Sequence, residues 1–318
     1  GICVICEICG CFLDKNTDLL ITEYCLLTMP IPYTDFAGHG PTLHFSHPNA
    51  YTPGSFRPFL APLTAHFHVL AAHHRPLWHL SPGYGAADAP DGFIDWTWDA
   101  IADDLLRFLD EQKLEQIIGV GHSLGAVATM MAARKEPQRF RALALIEPVF
   151  LPPHVLQAIR AHPKLAAERP FVLGALRRRD RWPSRADAFA RFREKPVFAR
   201  WSDEALWEYV NDGLHKDPTT GEVVLSYPRE WEARFYARPP TNVWDELPAL
   251  AHPTLAIRAT ESDTLYPDAW ALWQTLQPSA TFVEMDGVGH MLTAEAPEDV
   301  AGVVIHWLED QGSVNSGQ

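Results

Sequence analysis

The chain has 318 residues, 47% hydrophobic and 21% charged, with a formal net charge of −14. That length can bury a large core as one domain or two, and the acidic balance argues against nucleic acid or an anionic membrane surface as the main partner. No uninterrupted apolar run is long enough to span a bilayer, so no membrane insertion is expected and the composition reads as that of a soluble globular protein.

The N-terminus is unlike the rest. All five cysteines (Cys3, Cys6, Cys9, Cys11 and Cys25) fall within the first 25 residues, opening with "GICVICEICGC". Cys-x-x-Cys spacing suits a metal or iron–sulfur ligand run. No second ligand pair completes such a site, and residues 1–30 are read as an extension outside the fold, with no metal expected. Glu7 interrupts the apolar run and no basic residue precedes it, which is not the pattern of a signal peptide. A cysteine-free body with no export signal is expected in the cytoplasm.

From about Tyr33 onward, short apolar runs alternate with helical periodicity. "PTLHFS" (41–46), "FHVLAA" (67–72), "QIIGVG" (116–121), "ALALIE" (142–147), "PTLAIRA" (253–259) and "ATFVEM" (280–285) read as buried strands. Between them, "DWTWDAIADDLLRFLDEQ" (95–112) carries Trp98, Ile101, Leu105, Phe108 and Leu109 at helical spacing. A last helix is expected from Pro297 to Asp310. Buried strands separated by helices indicate an α/β fold with a parallel sheet covered on both faces.

Residues 151–247 break the rhythm, with helical patterns and loops but no convincing series of buried strands. This insertion holds five of the eleven tryptophans: Trp182, Trp201, Trp207, Trp231 and Trp244. A helical insertion within an α/β sheet is a natural lid over the strand ends. Its tryptophans, with Phe150, Phe171, Phe198 and Tyr209, either line an apolar pocket or form the lid's own core. Arg177, Arg178, Arg179, Arg181, Arg185, Arg191 and Arg193 could grip a substrate carboxylate, but read first as a solvated face.

The chemistry begins at "GVGHSLGAV" (119–127). A Gly-x-Ser-x-Gly set between a buried strand and a helix holds the serine hydroxyl out above the sheet. Gly121, Gly125 and Ala126 are the small neighbours such a turn requires. A serine hydroxyl needs a general base oriented by an acid, and both follow after later strands. Asp263 stands in "ESDTLYP", with Glu261 as a close competitor and Glu147, at the end of another strand, as a topological alternative. His290 stands in the Gly-rich loop "GVGH".

"GHSLG", "ESDTLYP" and "GVGH", in this order, make the chain resemble the α/β-hydrolase superfamily in its lidded, esterase-like branch, from about Tyr33 to Asp310. The resemblance implies a mostly parallel central sheet flanked by helices. The core would be 31–150 and 248–310, with a helical cap at 151–247 inserted after strand 6 and a disordered tail at 311–318. It also implies Ser123 as nucleophile, Asp263 as acid and His290 as base. One oxyanion donor would be the Leu124 N–H. The second normally comes from a His-Gly-x loop, but here the run is "HFSHPNAY". His47 matches the family histidine, and Pro48, which has no N–H, stands where glycine is usual. Asn49 is then the expected donor. "LHFSHPNAY" and "AAHHRPLW" resemble a bacterial branch of these hydrolases.

The expectation is a serine hydrolase acting on small to medium carboxylic esters, with His47, His122, Phe150, Trp201 and Trp207 in the pocket. Alternatives are a C–C hydrolase or lactonase on the same triad, or a ligand sensor with the same fold. A dehalogenase or epoxide hydrolase of this fold would carry aspartate in place of Ser123. With no His-Glu-x-x-His motif, dinucleotide fingerprint or phosphate loop, neither a metal nor a cofactor is expected.

Overall fold

The computed structural model describes residues 29–81 and 97–312. The cysteine run and most of the C-terminal tail lie outside the described residues. Seven strands form one sheet: β1 (Tyr33–Asp35), β2 (Thr42–Ser46), β3 (His68–Ala72), β4 (Ile117–His122), β5 (Phe140–Ile146), β9 (Thr254–Ala259) and β10 (Thr281–Met285). Their order is β1-β3-β2-β4-β5-β9-β10. Only β1 runs antiparallel, against β3; every other pairing is parallel. The six strands expected from the apolar runs are present to within two residues at each end. The three-residue β1 is too short for any periodicity to reveal it.

Helices connect the strands as a parallel sheet demands. They are α1 (Arg57–Leu63), α2 (Trp98–Glu111), α3 (Leu124–Lys135), α11 (Pro267–Leu276), α12 (Leu292–Glu295) and α13 (Pro297–Asp310). Central β4 is buried at every residue, and α3 behind it is buried from Leu124 to Ala133. That accounts for the apolar, alanine-rich sequence of α3, which has no polar face to show. β10 differs from expectation. It is an edge strand, paired only with β9, and its residues are half-buried or exposed.

The segment between β5 and β9 contains α4 (Pro153–Ala161), α5 (Pro163–Ala166), α6 (Pro170–Leu176), α7 (Arg185–Arg193), α8 (Asp203–Asp212), α9 (Arg229–Ala237) and α10 (Val243–Glu246). It is not purely helical. β6 (Arg181–Trp182), β7 (Leu214–Lys216) and β8 (Val223–Leu225) form a small antiparallel sheet in the order β6-β8-β7. Strands of two or three residues leave no alternation to read, so the sequence gives no sign of them. The segment follows the fifth strand among the described residues rather than a sixth. It joins the strand-end face of the sheet by packing α8 on the turn Pro53–Phe56 and by a hydrogen bond from Trp98 Nε1 to Phe235 O (3.1 Å).

Sheet order places the site. Strand progression reverses between β2 and β4, which lie side by side with Ser46 opposite Gly121. The crevice outside the carboxyl ends at such a reversal is the general ligand position of open α/β sheets. Here β2 runs out into His47–Asn49 and β4 into Ser123.

Candidate active site

The turn after β4 is sterically forced. Ser123 has φ 57° and ψ −119°, a conformation a side-chain-bearing residue rarely adopts. Its N–H donates to Ile146 O at 3.0 Å, tying the turn to β5. Neither flanking glycine has room for a methyl group. A Cβ on Gly121 would lie 2.5 Å from Gly125 O, and one on Gly125 would overlap the Ser46 carbonyl. The Gly-x-Ser-x-Gly spacing therefore reflects close approach of β4, α3 and the end of β2.

Three side chains converge above this turn. His290 Nε2 lies 3.0 Å from Ser123 Oγ, and His290 Nδ1 lies 3.0 Å from Glu147 Oε2. Glu147 has no solvent exposure. Its Oε1 also accepts from the Ala259 N–H (2.7 Å), and its Oε2 from the Ser262 hydroxyl (2.5 Å). With Nδ1–H donating to the carboxylate, Nε2 is left to accept from the serine hydroxyl. Glu147 itself has φ 46°, a second left-handed non-glycine residue in the site.

The structure does not bring Asp263, the acid expected from sequence, to His290. Asp263 is exposed, accepts from Thr264 Oγ1 at 3.2 Å, and makes no hydrogen bond to His290. Glu261 pairs with Arg200 instead. Both loops follow parallel strands, but only the one after β5 carries its carboxylate beneath the imidazole. A glutamate closing the apolar run "ALALIE" was the available signal.

The His290 backbone is also held. His122 Nε2–H donates to His290 O (2.9 Å), and the Thr293 hydroxyl bonds His122 Nδ1 (2.8 Å). Burial drives the His122 pKa well below the ordinary histidine value, keeping the ring neutral for this pairing. His122 is thus a support behind His290 rather than a pocket residue.

Leu124 and Asn49 both border the cavity beside Ser123. The Asn49 side-chain amide is committed elsewhere. Its Nδ2 donates to Glu232 O (3.1 Å) and its Oδ1 accepts from the Tyr227 hydroxyl (2.9 Å). Glu232 in turn pairs with Arg178 (2.8 Å), which also bonds the Tyr209 hydroxyl. The segment between β5 and β9 thereby grips the loop after β2. Sequence reasoning missed Tyr227 and Glu232 because nothing local marks a contact across about 180 residues.

The cavity above Ser123 has a volume of about 720 Å³. None of the five pocket residues expected from sequence lines it. His47 is fully buried, stacks on His74 with ring centroids 3.6 Å apart, and bonds Pro48 O and the His74 N–H. Phe150 packs into the core against Trp244 and Trp273. Trp201 is buried beside Tyr51, and Trp207 stacks on Phe189 at the surface. The walls are instead Tyr51, Trp98, Leu151, Val155, Phe235 and Met291, with Phe171, Val197 and Tyr266 also bordering the space. Among the described residues, no group of three His, Cys, Asp or Glu side chains is placed to hold a metal. No helix among them is long and apolar enough to cross a membrane.

The profile of the alpha/beta hydrolase family matches residues 35–303. The chain belongs to the alpha/beta hydrolase family. Among family relatives, it is 24% identical over 230 residues to "Abhydrolase domain-containing protein AKT2" of Alternaria alternata, covering 61% of this chain and 84% of that protein. It is 26% identical over 211 residues to "Esterase YbfF" of Escherichia coli, covering 66% of this chain and 74% of that one. The structure of an E-2-(acetamidomethylene)succinate hydrolase superposes with a TM-score of 0.68 at 20% identity, covering 88% of this chain and 95% of that one. At that identity the likeness speaks for the fold.

Proposed function

We propose that this member of the hydrolase family is a serine hydrolase of carboxylic esters, with Ser123 as nucleophile, His290 as general base and Glu147 as the acid that orients it. The observation that carries the reading is the unbroken hydrogen-bonded chain from Ser123 Oγ through His290 to buried Glu147. In the forward step, His290 Nε2 takes the serine proton as Oγ attacks the ester carbonyl. The resulting imidazolium then protonates the departing alkoxide, leaving an acyl group on Ser123. Water, deprotonated by the same nitrogen, attacks that acyl group, and Ser123 regains its proton as the acid leaves. The Leu124 and Asn49 N–H groups are assigned to the oxyanion formed in both steps.

The segment between β5 and β9 is read as a cap over this site, since it supplies Leu151, Val155, Phe171 and Phe235 to the cavity. Those walls favour an apolar acyl or alcohol portion. Hydrolysis of p-nitrophenyl esters of increasing acyl length, wild type beside Ser123→Ala, tests the reading. Turnover absent from the variant supports it. A folded wild type that binds esters without cleaving them would instead make the protein a ligand sensor.

A further inference from the structure

The cavity charges are unevenly matched. Arg200 is paired with Glu261 and lies 3.8 Å from Glu295, so the charges of that cluster offset one another at the rim. Other arginines of the cap form ion pairs away from the cavity lining, among them Arg178 with Glu232, Arg193 with Asp203, and Arg229 with Asp180 and Glu230. Arg169 borders the cavity and is half-buried, yet no carboxylate lies within 4.0 Å of it among the described residues. Among the described residues its guanidinium makes one hydrogen bond, a long one from Nη1 to Tyr236 O at 3.5 Å. Burial works against its charge, and the nearby Tyr266 side chain favours it. In a protein of net charge −14, a partly desolvated guanidinium with no carboxylate beside it among the described residues is suited to take an anion.

We propose that Arg169, with the Tyr266 hydroxyl beside it, binds a carboxylate on the substrate remote from the scissile ester. This deepens the serine-hydrolase reading and rests on it for the identity of the reacting bond. The substrate class is then a monoester of a dicarboxylic acid, or a related ester acid, whose apolar middle lies along Leu151, Val155, Phe171 and Phe235. A planar carboxylate can take both guanidinium N–H groups in parallel, which an alcohol or amide on the same chain cannot match. Asp263 also borders the cavity and has no cationic partner within 4.0 Å among the described residues, so it sets the opposing preference, for an ammonium group.

Two series of p-nitrophenyl esters separate these readings: mono-esters of adipic, pimelic and suberic acid, and the hexanoate, heptanoate and octanoate esters that lack the terminal carboxylate. The expected result is a wild-type preference in kcat/KM for the carboxylate series of about ten- to a hundredfold at the best length. Arg169→Gln should abolish that preference while leaving the uncharged series unchanged. In parallel, calorimetric binding of monoethyl pimelate to Ser123→Ala should weaken by a similar factor when Arg169→Gln is added. That readout holds even if no ester is cleaved, so failure of the hydrolase reading is distinguishable from failure of this one. Equal losses in both series on Arg169→Gln, no difference between the series, or preference for an ω-amino ester that Asp263→Asn removes would each overturn the proposal.

Discussion

Glu147 and His290 lie 143 residues apart in the chain, yet Glu147 Oε2 stands 3.0 Å from His290 Nδ1 at a position with no solvent exposure. The carboxylate is further held by the Ala259 N–H and the Ser262 hydroxyl, so the imidazole meets an oxygen whose position is already fixed. This relationship ties β5, β9 and the loop after β10 into one unit around Ser123.

If Glu147 orients the base, Glu147→Gln should lower kcat by about 10²–10⁴-fold, through the wrong imidazole tautomer, with KM nearly unchanged. Asp263→Asn should keep kcat on uncharged esters within about threefold of wild type, because its carboxylate does not touch His290. Steady-state kinetics on both variants checks this. A collapse in Asp263→Asn with Glu147→Gln intact would reverse the assignment of the acid.

The grip on Asn49 should be visible in turnover. Tyr227→Phe deletes the donor to Asn49 Oδ1 and leaves a buried acceptor unsatisfied, costing about 1–3 kcal/mol. If Asn49 is an oxyanion donor, part of that cost should fall on its position, lowering kcat by roughly tenfold with little change in KM. If kcat and KM are both unaltered while stability falls, Tyr227 serves folding alone.

Close approach at the serine turn predicts a large penalty for one methyl group. Gly125→Ala would drive its Cβ into the Ser46 carbonyl, which as backbone cannot rotate away. We expect a loss of about 3–5 kcal/mol, seen as a lower Tm or as insoluble protein. Gly302→Ala, inside α13 where nothing lies within 4 Å of the added carbon, is the control and should raise Tm slightly through the better helix propensity of alanine.

Buried histidines behind the loop after β2 make stability acid-sensitive. Burial lowers the pKa of His44 and of His47 from 6.5 to about 3, and that of His73 to about 4. Below pH 6.5 the unfolded chain takes up protons that the folded state refuses, so stability falls with acidification until the folded-state values are reached. Each group contributes up to about 1.4 kcal/mol per pH unit across that window. Urea midpoints should therefore drop from pH 6.5 toward pH 4, with a shallower slope in His44→Gln. A flat profile over that range would contradict the neutral, buried assignment.

Strands and the serine turn were legible in the sequence because both are local. An apolar run bounded by turn residues has few alternatives to a buried strand, and a serine between glycines at a strand–helix junction follows from contacts among near neighbours. His290 was legible for a related reason, since its loop directly follows a strand whose place in the sheet the pattern already implied. The acid was not. Glu147 and Asp263 both follow parallel strands, and the sequence sets no distance from either to the imidazole. Sheet order, the backbone turn at Glu147 and three convergent donors decided between them. The cavity walls were hidden too. Phe150, Trp201 and Trp207 are as apolar as Leu151, Phe235 and Met291, so composition cannot separate a residue packed in the core from one lining a space. Local sterics and hydrophobic patterning set the frame from sequence alone. Partners brought together across a hundred residues or more, and which apolar surfaces stay uncovered, are set only when the whole chain packs.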